Sequence, residues 1–158
     1  MSHELERWRR PDWKAHSQLL LDSYCRSLGR ELLGSRTTMA KDAKTLFEAP
    51  FVVVSHGTEA DPILNYGNRT ALELWEMELE TLLRTPSRLT AEPVHRAERA
   101  RLLERTTRDG FVDDYSGIRI TATGRRFRIP LAIVWNLIDS KGRFAGQAAT
   151  FDEWEWLN

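Results

Sequence analysis

The chain has 158 residues, 41% of them apolar and 29% charged, which is the size of one ordinary domain able to bury its own core. Lysine plus arginine balances aspartate plus glutamate at 23 each, so no overall field draws the chain to nucleic acid or to an anionic membrane. Cys25 is the sole cysteine, which excludes an intramolecular disulfide and a cysteine-rich zinc site; the charged start "MSHELERWRRPDWKAH" and the absence of any run near the ~20 apolar residues of a membrane span point to a soluble, cytoplasmic protein.

Trp13, His16, Leu20, Tyr24, Leu28 and Leu32 recur at spacings of three and four, which predicts an amphipathic helix ending near Gly34. A shorter helix is expected over Met39–Phe47, stopped by Pro50. The β-branched run "FVVVSH" (51–56) reads as a strand, paired with "ILNY" (63–66) across the turn "GTEADP". Gly67 then lets the chain bend. Asn68 stands where an N-cap belongs, opening a helix that carries Ala71, Leu72, Trp75 and Leu79. After a polar loop with Pro86 and Ser87, Pro93 and Gly110 frame a helix rich in charged helix formers.

The last third reads as strand. In "FVDDYSGIRIT" (111–121), Phe111 and Tyr115 share one parity and Ile118 and Ile120 the other, which predicts a β-bulge near Ser116 and Gly117. "RRFRIPLAIVWNLID" (125–139) alternates, placing Phe127, Ile129, Leu131, Ile133, Trp135 and Leu137 on one face, while Pro130 implies an edge or a second bulge. "DSKGR" is a hairpin turn and "RFAGQAATF" (143–151) the returning strand. Two strands, helices and then three antiparallel strands give an α+β fold, with a helical leader over 1–49 that packs on the rest or forms a dimer seam, and a sheet domain over 50–158.

This order, with the corner "DPILNYGN" and the "D-x-x-G" turn at 139–142, resembles the PAS domain. The segments "SHGTEADPILNYGNRTALELW", "PSRLTAEP", "GFVDDYSGIRI", "GRRFRI" and "GQAATF" resemble more closely the MEKHLA domain, a PAS-related family found at the C-terminus of plant class III homeodomain-leucine zipper regulators and as stand-alone microbial proteins. The resemblance implies a five-stranded antiparallel sheet with helices on one face, a sensory or regulatory role and, as in PAS domains, a ligand cavity walled by those helices. The ligand is not implied by it. The homeodomain and zipper have no counterpart in this sequence, so DNA binding is not expected.

"FAGQAATF" is short of side-chain volume for a central strand, and interiors pack densely. The space is filled by Trp75, by Trp135 or by a leader helix, or it holds a small molecule. For the second case the expected contacts are Gln147, Trp75, Trp135, Asn136, Ala145, Ala149 and Asn65, with Gln147 offering both donor and acceptor. No cofactor is specified and no metal site is expected. His95 is a weak candidate for haem, since its neighbours in "VHRAERAR" are charged; flavin photochemistry of the light-oxygen-voltage kind needs a cysteine, and residues 76–92 contain none. Asp113 and Asp114 are expected to pair across strands with Arg125, Arg126 and Arg128. The tryptophans of "DEWEWLN" fold back or, with the leader, form a homodimer seam.

Two functions follow. The first is a non-catalytic sensory module that binds a small molecule or partner; the second is an enzyme of the cone-shaped, curved-sheet α+β type using His56, Asp113 or Asp114 as general base. Convergence of titratable groups inside a cavity favours the enzyme, and an apolar cavity the sensor. P-loop, dinucleotide, nucleophile-elbow and metal-ligand patterns are all missing from the sequence.

Overall fold

The computed structural model describes residues 6–157; the first five residues of the charged start and Asn158 lie outside the described residues. Five α-helices and six strands are present among them: α1 (Pro11–Leu28), α2 (Met39–Phe47), β1 (Val52–His56), β2 (Leu64–Gly67), α3 (Arg69–Trp75), α4 (Leu79–Leu82), α5 (Arg96–Asp109), β3 (Phe111–Ile120), β4 (Arg126–Ile138), β5 (Phe144–Phe151) and β6 (Glu155–Trp156). Among the described residues, no helix is long and apolar enough to cross a membrane.

Asn68 fixes how these parts meet. It is fully buried, and its Oδ1 accepts from the backbone N–H groups of Ala71 and Val53, each at 3.1 Å. Its Nδ2 donates to the carbonyls of Leu46 (3.1 Å) and Phe51 (2.8 Å). One side chain therefore caps α3, holds β1 and ties down the end of α2.

The sheet is antiparallel in the order β2-β1-β5-β4-β3, with β6 added alongside β4. Besides a shift between β1 and β2, where Asn65 is extra between the pairs Ser55 with Tyr66 and His56 with Leu64, it departs from simple alternation in three places, and each of these changes which face a side chain takes. In β3 the extra residues are Asp113 and Asp114, between the pairs Val112 with Val134 and Tyr115 with Ala132. The predicted bulge at Ser116 and Gly117 is thus displaced: Ser116 instead faces the bulge of β4, where Pro130 and Leu131 lie between Ile129, partner of Gly117, and Ala132. Pro130 removes a ladder N–H, so the slip falls there. Consequently the six residues expected on one face of β4 divide. Phe127 and Ile129 join Ala132 and Val134 on one side, Leu131 is exposed, and Ile133, Trp135 and Leu137 turn to the other. The third departure is at Gly146 of β5, whose φ of +131° and approach to the His56 carbonyl, 2.1 Å from where a Cβ would stand, leave room for glycine alone.

Both faces are covered. On one, α1 and α2 bury Trp13, Leu20, Leu21, Tyr24, Leu46 and Phe47 against Val53, Tyr66, Trp135 and Leu137. Trp135 donates its Nε1–H to the Leu20 carbonyl at 3.2 Å and meets Tyr24 edge-on at 5.0 Å. The leader helix ends at Leu28 rather than near Gly34, because Gly29 adopts the left-handed conformation (φ 74°) and its N–H closes the last turn on the Cys25 carbonyl. On the other face, α3 and α5 set Ala71, Leu74, Trp75 and Leu102 against Phe127, Ile129, Val134 and Phe151. Ala148 belongs to the first core and Ala149 packs on the second, so the small residues of β5 bring α1 close on one side and thin the other.

The leader face also carries a polar contact. His16 Nε2 lies 2.9 Å from Ser55 Oγ, Ser55 donates to Asn65 Oδ1 at 2.5 Å, and the His16 ring stacks on Tyr66 at 5.6 Å.

Two outcomes are expected. Asn68→Ala leaves two backbone N–H groups and two carbonyls without their partner and should cost about 3–5 kcal/mol in urea unfolding; a loss under about 1 kcal/mol contradicts the role given to it. Burial pulls the pKa of His16 from 6.5 to about 4, so between those values the unfolded chain binds the proton that the folded chain refuses. Stability should therefore fall as pH drops from 6.5 towards 4, and His16→Gln should make that fall shallower by up to one proton's worth of slope; parallel pH profiles for the two proteins would contradict it.

Candidate functional site

A cavity of about 70 Å³ lies between the second face of the sheet and α5. That is room for several waters or a compact organic molecule. Its walls are mainly apolar, from Val54, Leu102, Ile129, Ala132, Val134 and Phe151, with Trp75 at one side. The polar residues that line it are His56, Arg99, Tyr115, Arg119 and Gln147, with Ser55 of β1 and Ser87 and Thr90 of the loop before α5.

Each of these is placed by a local cause. His56 ends β1, and its Nδ1–H donates to the Gly57 carbonyl at 3.0 Å, which makes Nε2 the acceptor nitrogen. That Nε2 is buried with no hydrogen-bond partner among the described residues, and the same holds for Nε1 of Trp75. Burial holds His56 below its ordinary pKa, with the bond to Gly57 opposing the shift, so the ring is neutral near neutral pH. Arg99, one turn into α5, donates to Ser87 Oγ at 2.6 Å. Burial first and the neighbouring Arg119 second pull its pKa down to about 10. Arg119 is only 7% exposed; it donates to the Ile118 carbonyl at 2.9 Å and lies 5.4 Å from the ring centre of Tyr115. Tyr115 in turn covers Gly117, where a Cβ would stand 2.0 Å from its hydroxyl, and donates to Glu98 at 3.2 Å.

The residues expected from the sequence are divided by the sheet. Gln147, Trp75 and Ala149 line the cavity. Asn136 stands behind Gln147, and the two hold α5 to the sheet: Gln147 Nε2 is within 3.0 Å of Leu103 O, Thr107 Oγ1 and Asn136 Oδ1, and Asn136 Nδ2 donates to Thr107 O at 3.3 Å. Trp135 and Ala145 face the leader helices, the first because of the slip at Pro130 and the second because of the break at Gly146. Asn65 is on that face too, bonded to Ser55.

Asp113 and Asp114 are exposed on the β3 bulge and do not reach the cavity. Asp114 pairs with Arg105 at 3.0 Å, whereas Arg125, Arg126 and Arg128 pair with Glu76, Glu92 and Glu155. The expected cross-strand pairs are therefore not those formed. His95 lies in a 3-10 turn before α5 and is not among the lining residues. Cys25 lies on α1, against the opposite face, so cysteine-based flavin chemistry does not fit this cavity. Trp154 and Trp156 fold back on Phe151 and Phe127, edge-on at 6.2 and 5.7 Å, and Arg125 covers Trp156 at 3.7 Å.

Arg99 and Arg119 were not expected at the site. Arg119 alternates with Ile118 and Ile120, which reads as a solvent-facing position, and Arg99 sits in a stretch charged all round.

A sequence model of the MEKHLA domain matches residues 14–156. No curated protein matches the chain in sequence. Among solved structures, the PAS domain of a protein from Colwellia psychrerythraea superposes with a TM-score of 0.61 at 12% identity, over 70% of this chain and 91% of that one. A light-oxygen-voltage domain studied with a flavin analogue gives 0.58 at 15%, over 73% and 84%. A PAS domain from a two-component sensor histidine kinase gives 0.54 at 15%, over 71% and 89%. At these identities the likeness establishes a PAS fold.

The bonds of Gln147 make it a clamp on α5. Gln147→Ala should speed hydrogen exchange of the α5 amides by about 5- to 30-fold, the equivalent of losing about 1–2 kcal/mol locally, and leave α1 unchanged. Equal exchange in α5 before and after substitution contradicts that role.

Proposed function

The chain belongs to the MEKHLA domain family, and from that premise we propose that it is a non-catalytic, PAS-like sensory module that binds a small molecule in the cavity beneath α5. The observation carrying this reading is the cavity itself, mainly apolar with a few polar groups in its lining, the usual form of a small-molecule site. The change on binding passes through β1 to the leader helix: Val54 and His56 line the cavity, and Ser55 between them bonds His16 of α1. A homodimer belongs to the same proposal, with exposed Trp156 and Leu157 as its seam, since the apolar side of α1 is buried on the sheet.

Titratable groups do converge on the cavity, which is the pattern of an enzyme, yet their chemistry supports binding. Arginines remain charged, and burial raises the Tyr115 pKa while its hydroxyl proton is committed to Glu98, so neither group is set to exchange a proton with a ligand near neutral pH. Among the described residues that line the cavity, His56 is left as the candidate base, and Asp113 and Asp114 lie outside. A base with no acid partner is a poor start for acid-base catalysis.

Native mass spectrometry of gently purified protein tests the reading. The expected spectrum has a species heavier than the polypeptide by one small molecule, lost on denaturation. A bare polypeptide, unresponsive to added metabolite extract, counts against it.

A further inference from the structure

Arg99 and Arg119 meet at one cavity and feel each other's charge, and among the described residues neither has a carboxylate within ion-pair distance. Elsewhere the arginines of this chain that are not fully exposed mostly find acids: Arg36 alone is shared by Asp22, Glu31 and Asp42. Asp61, whose charge Arg99 feels, is bound to Arg88 at 3.1 Å. Two like charges withdrawn from water without an acid are costly unless an anion joins them.

A second observation points the same way. His56 Nε2 and Trp75 Nε1, one an acceptor and the other a donor, belong to lining residues that are 8% and 3% exposed, and both lack a partner. Native interiors rarely leave such atoms unpaired, so a water or ligand atom completes them. The part of the wall formed by Leu102, Ile129, Ala132 and Val134 is apolar.

Resting on the reading of this cavity as a ligand site, we propose that its ligand is a compact organic carboxylate, whose carboxylate engages the guanidinium groups of Arg99 and Arg119 while its apolar body lies against Leu102, Ile129, Ala132 and Val134. Arginine suits this task because its planar fork matches the two carboxylate oxygens. A phosphate dianion would leave the apolar wall unused.

Thermal shift and titration calorimetry on the full chain test this with benzoate and hexanoate, their uncharged counterparts benzamide and hexanol, and inorganic phosphate. An acid should raise the melting temperature while its uncharged counterpart does so weakly. Arg99→Gln, on the half-buried helix position, and Arg119→Gln should each weaken acid binding by about 10- to 100-fold and leave the uncharged counterpart unchanged, which a merely structural role would not do. If benzamide or hexanol binds as tightly as its acid, or if acid binding survives Arg99→Gln, the carboxylate assignment falls and the cavity remains a ligand site. A response to phosphate alone overturns it in favour of free phosphate. No binding by either acid or counterpart overturns it together with the reading of the cavity on which it rests.

Discussion

The four hydrogen bonds of Asn68 are the constraint on which the arrangement depends. Where β2 gives way to α3, a single buried amide accepts two hydrogen bonds and donates two, and together they reach backbone groups of three segments, α2, β1 with the residue before it, and α3. An amide is the side chain for this: aspartate has no donors, and leucine would satisfy none of the four backbone groups in a dry interior. Because α2, β1 and α3 meet at that point, the leader helices and the cavity wall are positioned against the same strand.

From there the bulges decide the function of each face. A sheet that alternated without interruption would present one apolar side along the whole of β4. The slip at Pro130 instead gives Phe127, Ile129, Ala132 and Val134 to the cavity side and Trp135 and Leu137 to the leader. The break at Gly146 does the same in β5, turning Gln147 towards α5 and Ala145 towards α1. A thin central strand serves both sides: close packing of a helix on one, and unfilled volume on the other. α5, charged along most of its length, is held over that volume by Gln147 and Asn136, by buried Leu102, and by the bonds of Glu98 to Tyr115 and Arg105 to Asp114.

Much of this was legible because it rests on local chemistry. The cap at Asn68, the β1–β2 hairpin, the helix over Met39–Phe47, and the order of elements all follow from residues whose effects act within a turn or two. Proline at 130 announced a bulge, but not that the bulge would reverse the phase of everything after it, so Trp135 and Ala145 were read onto the cavity side. The same limit holds for the leader, where Gly29 and Gly34 both adopt left-handed φ and the first of them ends the helix. Arg99 and Arg119 were illegible for another reason. A charged residue in a charged or alternating stretch reads as solvated, and only the third dimension shows that its environment is a cavity. Gln147 was legible as a polar group at the cavity, while its partners on α5, 40 to 44 residues away in the chain, were not.

The central claim is that one face of this sheet holds the leader helix and the other holds a ligand bound by Arg99 and Arg119. A crystal structure of the protein, isolated gently and frozen without exchange into a carboxylate buffer, tests it most directly. The account predicts α1 seated on Trp135 and, in the cavity, density for a compact molecule within hydrogen-bond distance of both guanidinium groups. A cavity closed by Leu102 and Trp75, with the arginines turned out to solvent, would contradict it.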